Sequence, residues 1–237
     1  MHVGQAFELL AENTRGVTDT QADIKNKKNV VDDYTERGYE MYEKALDVFQ
    51  ARAEANEADL DVANVVMAMG NIHNIRGEYM EALRKFKYSL EHKISLLGED
   101  DPSVGWSKNN IGNAFKGLGK YDEALKWYQE ALTTVTMHYG PEHPEVGHVH
   151  WNMGLCYQSK GAGDAQKRKV GTFTSWPLKY LTVGLQKRVA HEGEDFENMG
   201  KHLHHAFDVF MKRLGEDHMS TIRATAAMFA TRELVRD

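Results

Sequence analysis

Part of this chain repeats itself at an interval of 42 residues, and that interval constrains the fold more tightly than any other feature. Gly98-Glu99-Asp100-Asp101-Pro102-Ser103-Val104-Gly105 returns as Gly140-Pro141-Glu142-His143-Pro144-Glu145-Val146-Gly147, with glycine and proline in the same places. The same offset carries Gly70-Asn71 onto Gly112-Asn113 and Asn110-Ile111-Gly112 onto Asn152-Met153-Gly154. It also carries Gly77-Glu78-Tyr79-Met80-Glu81-Ala82-Leu83 onto Gly119-Lys120-Tyr121-Asp122-Glu123-Ala124-Leu125. A fixed period of this size marks supersecondary units that bury their apolar faces by stacking on one another. Residues 56–62 are a weaker copy of the turn, without proline, and Gly215-Glu216-Asp217-His218 is a further copy. The last copy follows Gly140 by 75 residues, so an insertion of 33 residues is expected in the third unit, near Ala162 to Glu194.

Within each period the apolar spacing is helical. Val62, Val65, Val66 and Met69 lead into Gly70, and Leu83, Phe86, Leu90, Ile94 and Leu97 follow at helical intervals. Each unit therefore reads as two antiparallel helices, A and B, and the chain as all-α. A glycine recurs in mid-helix A at Gly70, Gly112 and Gly154. It costs about 1 kcal/mol relative to alanine, which a helix accepts where a neighbour must approach closely.

The small residue at Gly70, Gly112 and Gly154, the aromatic or histidine at His73, Phe115 and Tyr157, and the Gly-x-Tyr of Gly77-Tyr79 and Gly119-Tyr121 carry a family resemblance. Ala82 and Ala124, Phe86 and Tyr128, and Ala131 complete it. The chain resembles tetratricopeptide repeats, and its 42-residue period with a Gly-Glu-Asp/His-Pro-x-Val turn resembles the kinesin-light-chain type. The resemblance implies a right-handed superhelical solenoid of antiparallel helix pairs with helix A lining a concave groove. Residues 1–55 read as a degenerate or capping helical unit with a polar loop between Glu12 and Arg37. Residues 56–237 read as the array, with units at about 59–100, 101–142 and 143–217, the insertion at 162–194, and a partial unit at 218–237.

Charge is distributed unevenly over a chain of 237 residues whose net charge is −6. Residues 1–61 hold 7 basic and 14 acidic side chains, whereas the insertion holds six basic and three acidic ones. Lys167, Arg168 and Lys169 stand there beside Phe173, Trp176 and Tyr180, a combination that a purely solvated loop does not require, so these six are candidate contact residues.

Several chemistries are disfavoured. Cys156 is the single cysteine and reads as a buried structural thiol, which excludes an internal disulfide and fits a reducing compartment. Among the twelve histidines, His202 and His205 share a helix face, but three or four convergent ligands are not evident, so no metal is expected. Gly117-Leu118-Gly119-Lys120 lacks the rest of a phosphate-loop pattern and lies between two helices rather than after a strand. No catalytic constellation and no cofactor are expected, and the acidic balance speaks against nucleic acid. No run of about 20 apolar residues suggests membrane insertion, and the amino terminus has no basic region followed by an apolar run, so the expected compartment is the cytoplasm.

The family's groove positions stand six and three residues before the helix A glycine, and one and four after it. The resemblance thus implies a partner-binding groove of Asn64, Met67, Asn71 and Asn74, then Trp106, Asn109, Asn113 and Lys116, then His148, Trp151, Leu155 and Gln158. Asparagine is a poor interior helix residue, and its side chain can both donate to and accept from a peptide backbone. Lys116 is the one groove cation in this set, so a clamp for an acidic carboxyl terminus is not expected. The function expected is a non-enzymatic interaction module for a peptide or extended partner segment. The alternative is a subunit built permanently into a large multiprotein assembly, docking through the acidic amino-terminal end and the basic insertion.

Overall fold

Five glycines with positive φ, Gly77, Gly98, Gly119, Gly140 and Gly215, mark where the chain reverses between helices. In the computed structural model, residues 21–53, 60–167 and 193–232 are described. They form helices α1 (Gln21–Ala53), α2 (Leu60–Ile75), α3 (Tyr79–Leu97), α4 (Pro102–Gly117), α5 (Tyr121–Tyr139), α6 (Pro144–Lys167), α7 (Gly193–Leu214) and α8 (Met219–Arg232), with no strand among the described residues. The chain divides into two compact units, Met1–His92 and Lys93–Asp237.

The turn from helix A to helix B is built by the same bonds twice. Lys120 N–H reaches back to the Phe115 carbonyl at 3.0 Å and Gly119 N–H to that of Lys116 at 3.0 Å, satisfying carbonyls that the helix end leaves open. Glu78 and Gly77 do the same with His73 and Asn74. Only a residue at ease with φ near +75° closes such a turn without strain, hence glycine. The B-to-A turn ends in a helix cap. Asp101 Oδ1 accepts from Ser103 N–H at 2.8 Å, with Pro102 at the first helical position. One period on, His143 Nδ1 takes the same role toward Glu145 N–H at 3.3 Å, and His218 Nδ1 toward Ser220 N–H at 3.2 Å.

In the first unit α1 packs on α2, and α2 on the part of α3 up to His92, where Ser89 Oγ donates to the Ala63 carbonyl at 2.7 Å. Arg76 ties α2 to α1 through Glu36 at 2.7 Å and Thr35 at 3.4 Å. In the second unit the core joins Ala124, Tyr128, Ala131 and Val135 of α5 to Val146, Val149, Met153 and Cys156 of α6.

Two sequence expectations change. The stretch Gln21 to Arg37, expected as polar loop or frayed extension, is continuous helix with the rest of α1. It contains neither glycine before Gly38 nor proline, and Arg37 pairs with Asp33 one turn back at 3.1 Å. Helix α6, expected to stop at Gly161, continues to Lys167, six residues into the predicted insertion. Gly163 stands where the other units have Tyr79 and Tyr121, so the residue that opens helix B is missing there. Residues 1–20 and 54–55 of the expected capping unit lie outside the described residues.

Candidate functional site

The helix A glycines mark the register of the candidate site, because each faces a large helix B side chain. A Cβ on Gly112 would stand 2.6 Å from Tyr128 Cε1, on Gly70 2.6 Å from Phe86 Cε1, and on Gly154 2.7 Å from Leu203 Cδ2. A second pair of small positions repeats the device: Gly105 meets Val135 at 2.9 Å and Gly147 meets Phe210 at 2.8 Å. The facing residues keep the register on both sides of the insertion, since Leu203 and Phe210 follow Tyr128 and Val135 by 75 positions each. Mid-helix glycine, Gly-x-Tyr opening of helix B, period and interhelical contact thus agree.

Residues 61–166 are similar to the tetratricopeptide repeat family. The family model, described as tetratricopeptide repeat, matches residues 61–137 and 109–166. Similar solved structures include BtubC (BKLC) from P. vanneervenii, 19% identical with a TM-score of 0.48 over 98% of this chain and 87% of that one. They also include the nearly identical TPR-like repeats of a protein assigned as a kinesin light chain in Podosopora anserina, 13% identical with a TM-score of 0.48 over 92% of this chain and 97% of that one. No curated protein matches the chain in sequence.

In α4 and α6 of the second unit the expected groove residues fall into two sets. Asn109 was expected to be open and is not: it is 4% exposed, and its Oδ1 accepts from Asn152 Nδ2 at 3.0 Å. Its amide is consumed in joining α4 to α6. Trp151, a groove position by the repeat register, packs on the cluster of Ala206, Phe210 and Ala224, and His148 lies 4.9 Å from the Phe210 ring. Burial, then His218, lower the proton affinity of His148. These residues have internal partners that a helix wheel does not reveal.

The other set keeps capacity to spare. Asn113 Oδ1 accepts from the Tyr128 hydroxyl at 2.7 Å, and the Nδ2 group has no bond among the described residues. One turn on, Lys116 is half-buried, and burial lowers its proton affinity while nearby Cys156 acts the other way. Trp106 and Leu155 are half-buried and Gln158 is exposed. Cys156 itself is buried, donates to the Tyr121 carbonyl at 3.6 Å, and has its thiol pushed up to about 11 by burial, which makes it inert.

In the first unit α2 exposes Asn64 and Asn71 and half-buries Met67 and Asn74. The Asn74 Oδ1 atom is buried with no hydrogen-bond partner among the described residues. Phe86, which faces Gly70, has no hydroxyl, so Asn71 lacks the bond that Tyr128 gives Asn113.

Arg168, Lys169, Phe173, Trp176 and Tyr180 lie outside the described residues, and Lys167 ends α6 with nothing described of its side chain. Sequence reasoning missed one cluster. His150 of α6 meets His202 and His205 of α7, although a gap of 52 residues separates His150 from His202. The signal was present in the repeat register: His150 stands three after Gly147 and four before Gly154, the two α6 glycines that meet α7. No group of three or more histidine, cysteine or acidic side chains suited to a metal is found among the described residues, and none of the helices there is long and apolar enough to cross a membrane.

Proposed function

We propose that this chain is a non-enzymatic interaction module that holds an extended peptide segment along the exposed stripe of α4 and α6. Tetratricopeptide repeats are a protein-interaction scaffold, and the observation that carries the finer reading is the pair Asn113 and Lys116. These residues stand three apart on one helix face. The Tyr128 hydroxyl fixes the Asn113 amide and leaves its Nδ2 hydrogens for a peptide carbonyl. Beside it, a lysine already drawn out of water pairs with a carboxylate at less further desolvation than an open one. Trp106, about two turns before Asn113, supplies apolar contact.

The test is to pan a displayed library of random peptides on the purified chain and titrate the enriched peptides by calorimetry. Asn113→Asp keeps the acceptor for Tyr128 and removes the donor, and a lost hydrogen bond weakens binding by about 0.5–1.5 kcal/mol. Lys116→Met should weaken peptides that carry a carboxylate and spare the others. Peptides that bind both variants as tightly as the parent would sink the groove reading.

A further inference from the structure

We propose that His150, His202 and His205 form a clasp between α6 and α7 that acid releases. The Nδ1 atoms of His150 and His202 stand 2.7 Å apart, with ring centroids at 5.0 Å. His205 packs on His150 at 4.2 Å, and Tyr157 stacks on His202 at 5.7 Å and 11°. All four side chains are half-buried between the two helices.

A contact between two Nδ1 atoms needs one bare nitrogen and one N–H, so the pair holds together only while one ring accepts. A second proton would set two N–H groups against each other in a site with little water. Among the described residues, no carboxylate acts on either ring. From α7 the groups acting on it are His205 and Lys201, both of the same sign when charged. The other helices packed on α6 reach different residues: α4 bonds Asn152 through Asn109, and α5 reaches Lys160 through Asp122. Helix α8 meets α7 through Ala224 against the Ala206 and Phe210 cluster.

Burial first, then His205 and His202, lower His150 to about 3, and burial, His205 and Lys201 lower His202. An imidazole whose folded value lies below its unfolded one, about 6.5, protects the fold above that pH. Its contribution is lost as pH falls from about 6.5 toward 3, because the unfolded chain takes the proton first. Helices α6 and α7 are the two that flank residues 168–192, so the contact that loosens is one of those joining both ends of the inserted segment.

Hydrogen exchange of the whole chain at pH 7.5 and pH 5.0, corrected for the intrinsic pH dependence of amide exchange, tests this. Exchange in α6 and α7 should accelerate on the order of tenfold relative to α4 and α5, and His150→Gln should shrink the difference to the part that His202 contributes. Equal acceleration in all helices, or none, overturns the clasp. Should His150→Gln fail to fold, nitrogen NMR of the wild-type imidazoles decides. His150 should stay neutral for as long as α6 and α7 remain protected, and protonation near pH 6 with both helices intact would refute the proposal.

Discussion

A side chain at Lys93 stands where the repeat register puts Val135 and Phe210, yet it is a lysine with 1% of its surface exposed. Burial pulls its pKa from 10.5 to about 8, with Asp101 acting weakly the other way. Below pH 8 both states carry the proton and the penalty is constant. Between about 8 and 10.5 the folded chain gives up its proton first, so stability should rise with pH. Lys93→Met should remove that rise, leaving stability level across this pH window. Urea titrations of both proteins at pH 7.5 and 10 check it, and parallel slopes would show that Lys93 is not the source. A second pair of substitutions tests the interhelical glycines. Gly112→Ala would place a methyl 2.6 Å from Tyr128 and should cost about 1–3 kcal/mol, whereas Gly200→Ala in α7 meets nothing within 4 Å and should stabilise by about 1 kcal/mol. Thermal melts with the same sign for both would contradict the packing.

For the elements, the period was enough to place helices α2 to α5 and the turns between them, because those features depend on local chemistry: a glycine where φ is positive, a cap before Pro102, apolar residues at helical spacing. The close approach at Gly70, Gly112 and Gly154 was legible for the same reason. What the sequence hid was the choice of partner. Asn109 reads as a groove amide on a wheel, but its acceptor is spent on Asn152, 43 residues away, and His150 finds its partners only across the insertion. The end of α6 was hidden too, since the absence of the tyrosine at Gly163 is a weaker signal than its presence in the earlier units. The A-to-B turn gives a prediction at this scale. Gly119, at φ +72°, should lose about 1–2 kcal/mol on replacement by alanine and less on replacement by asparagine, which tolerates that conformation. Denaturant midpoints of Gly119→Ala and Gly119→Asn check the order, and an equal loss in both would point away from backbone strain.

At the scale of the whole molecule, the insertion leaves the register undisturbed. Lys160 of α6 pairs with Asp195 of α7 at 3.2 Å and with Asp122 of α5 at 3.1 Å, so the residues flanking the inserted segment are held together independently of it. Removing residues 168–192 and joining Lys167 to Gly193 with a short glycine linker should therefore keep the helicity seen by circular dichroism. Halving a closing loop changes its entropy by only about 0.6 kcal/mol. A chain that no longer melts cooperatively after this deletion would show that the segment belongs to the core.

The contact between each helix A glycine and its helix B neighbour is satisfied by a phenylalanine at Phe86, a tyrosine at Tyr128 and a leucine at Leu203. The joint is thus specified by a gap and a filler rather than by one fixed pair of side chains, in the way that a mortise accepts any tenon of the right breadth. Helical hairpins cut at Gly98, Gly140 and Gly215 become interchangeable parts, provided each travels with both halves of its joint. A library that reorders them would vary the exposed stripe, and with it the choice of ligand, while every member kept the same joinery.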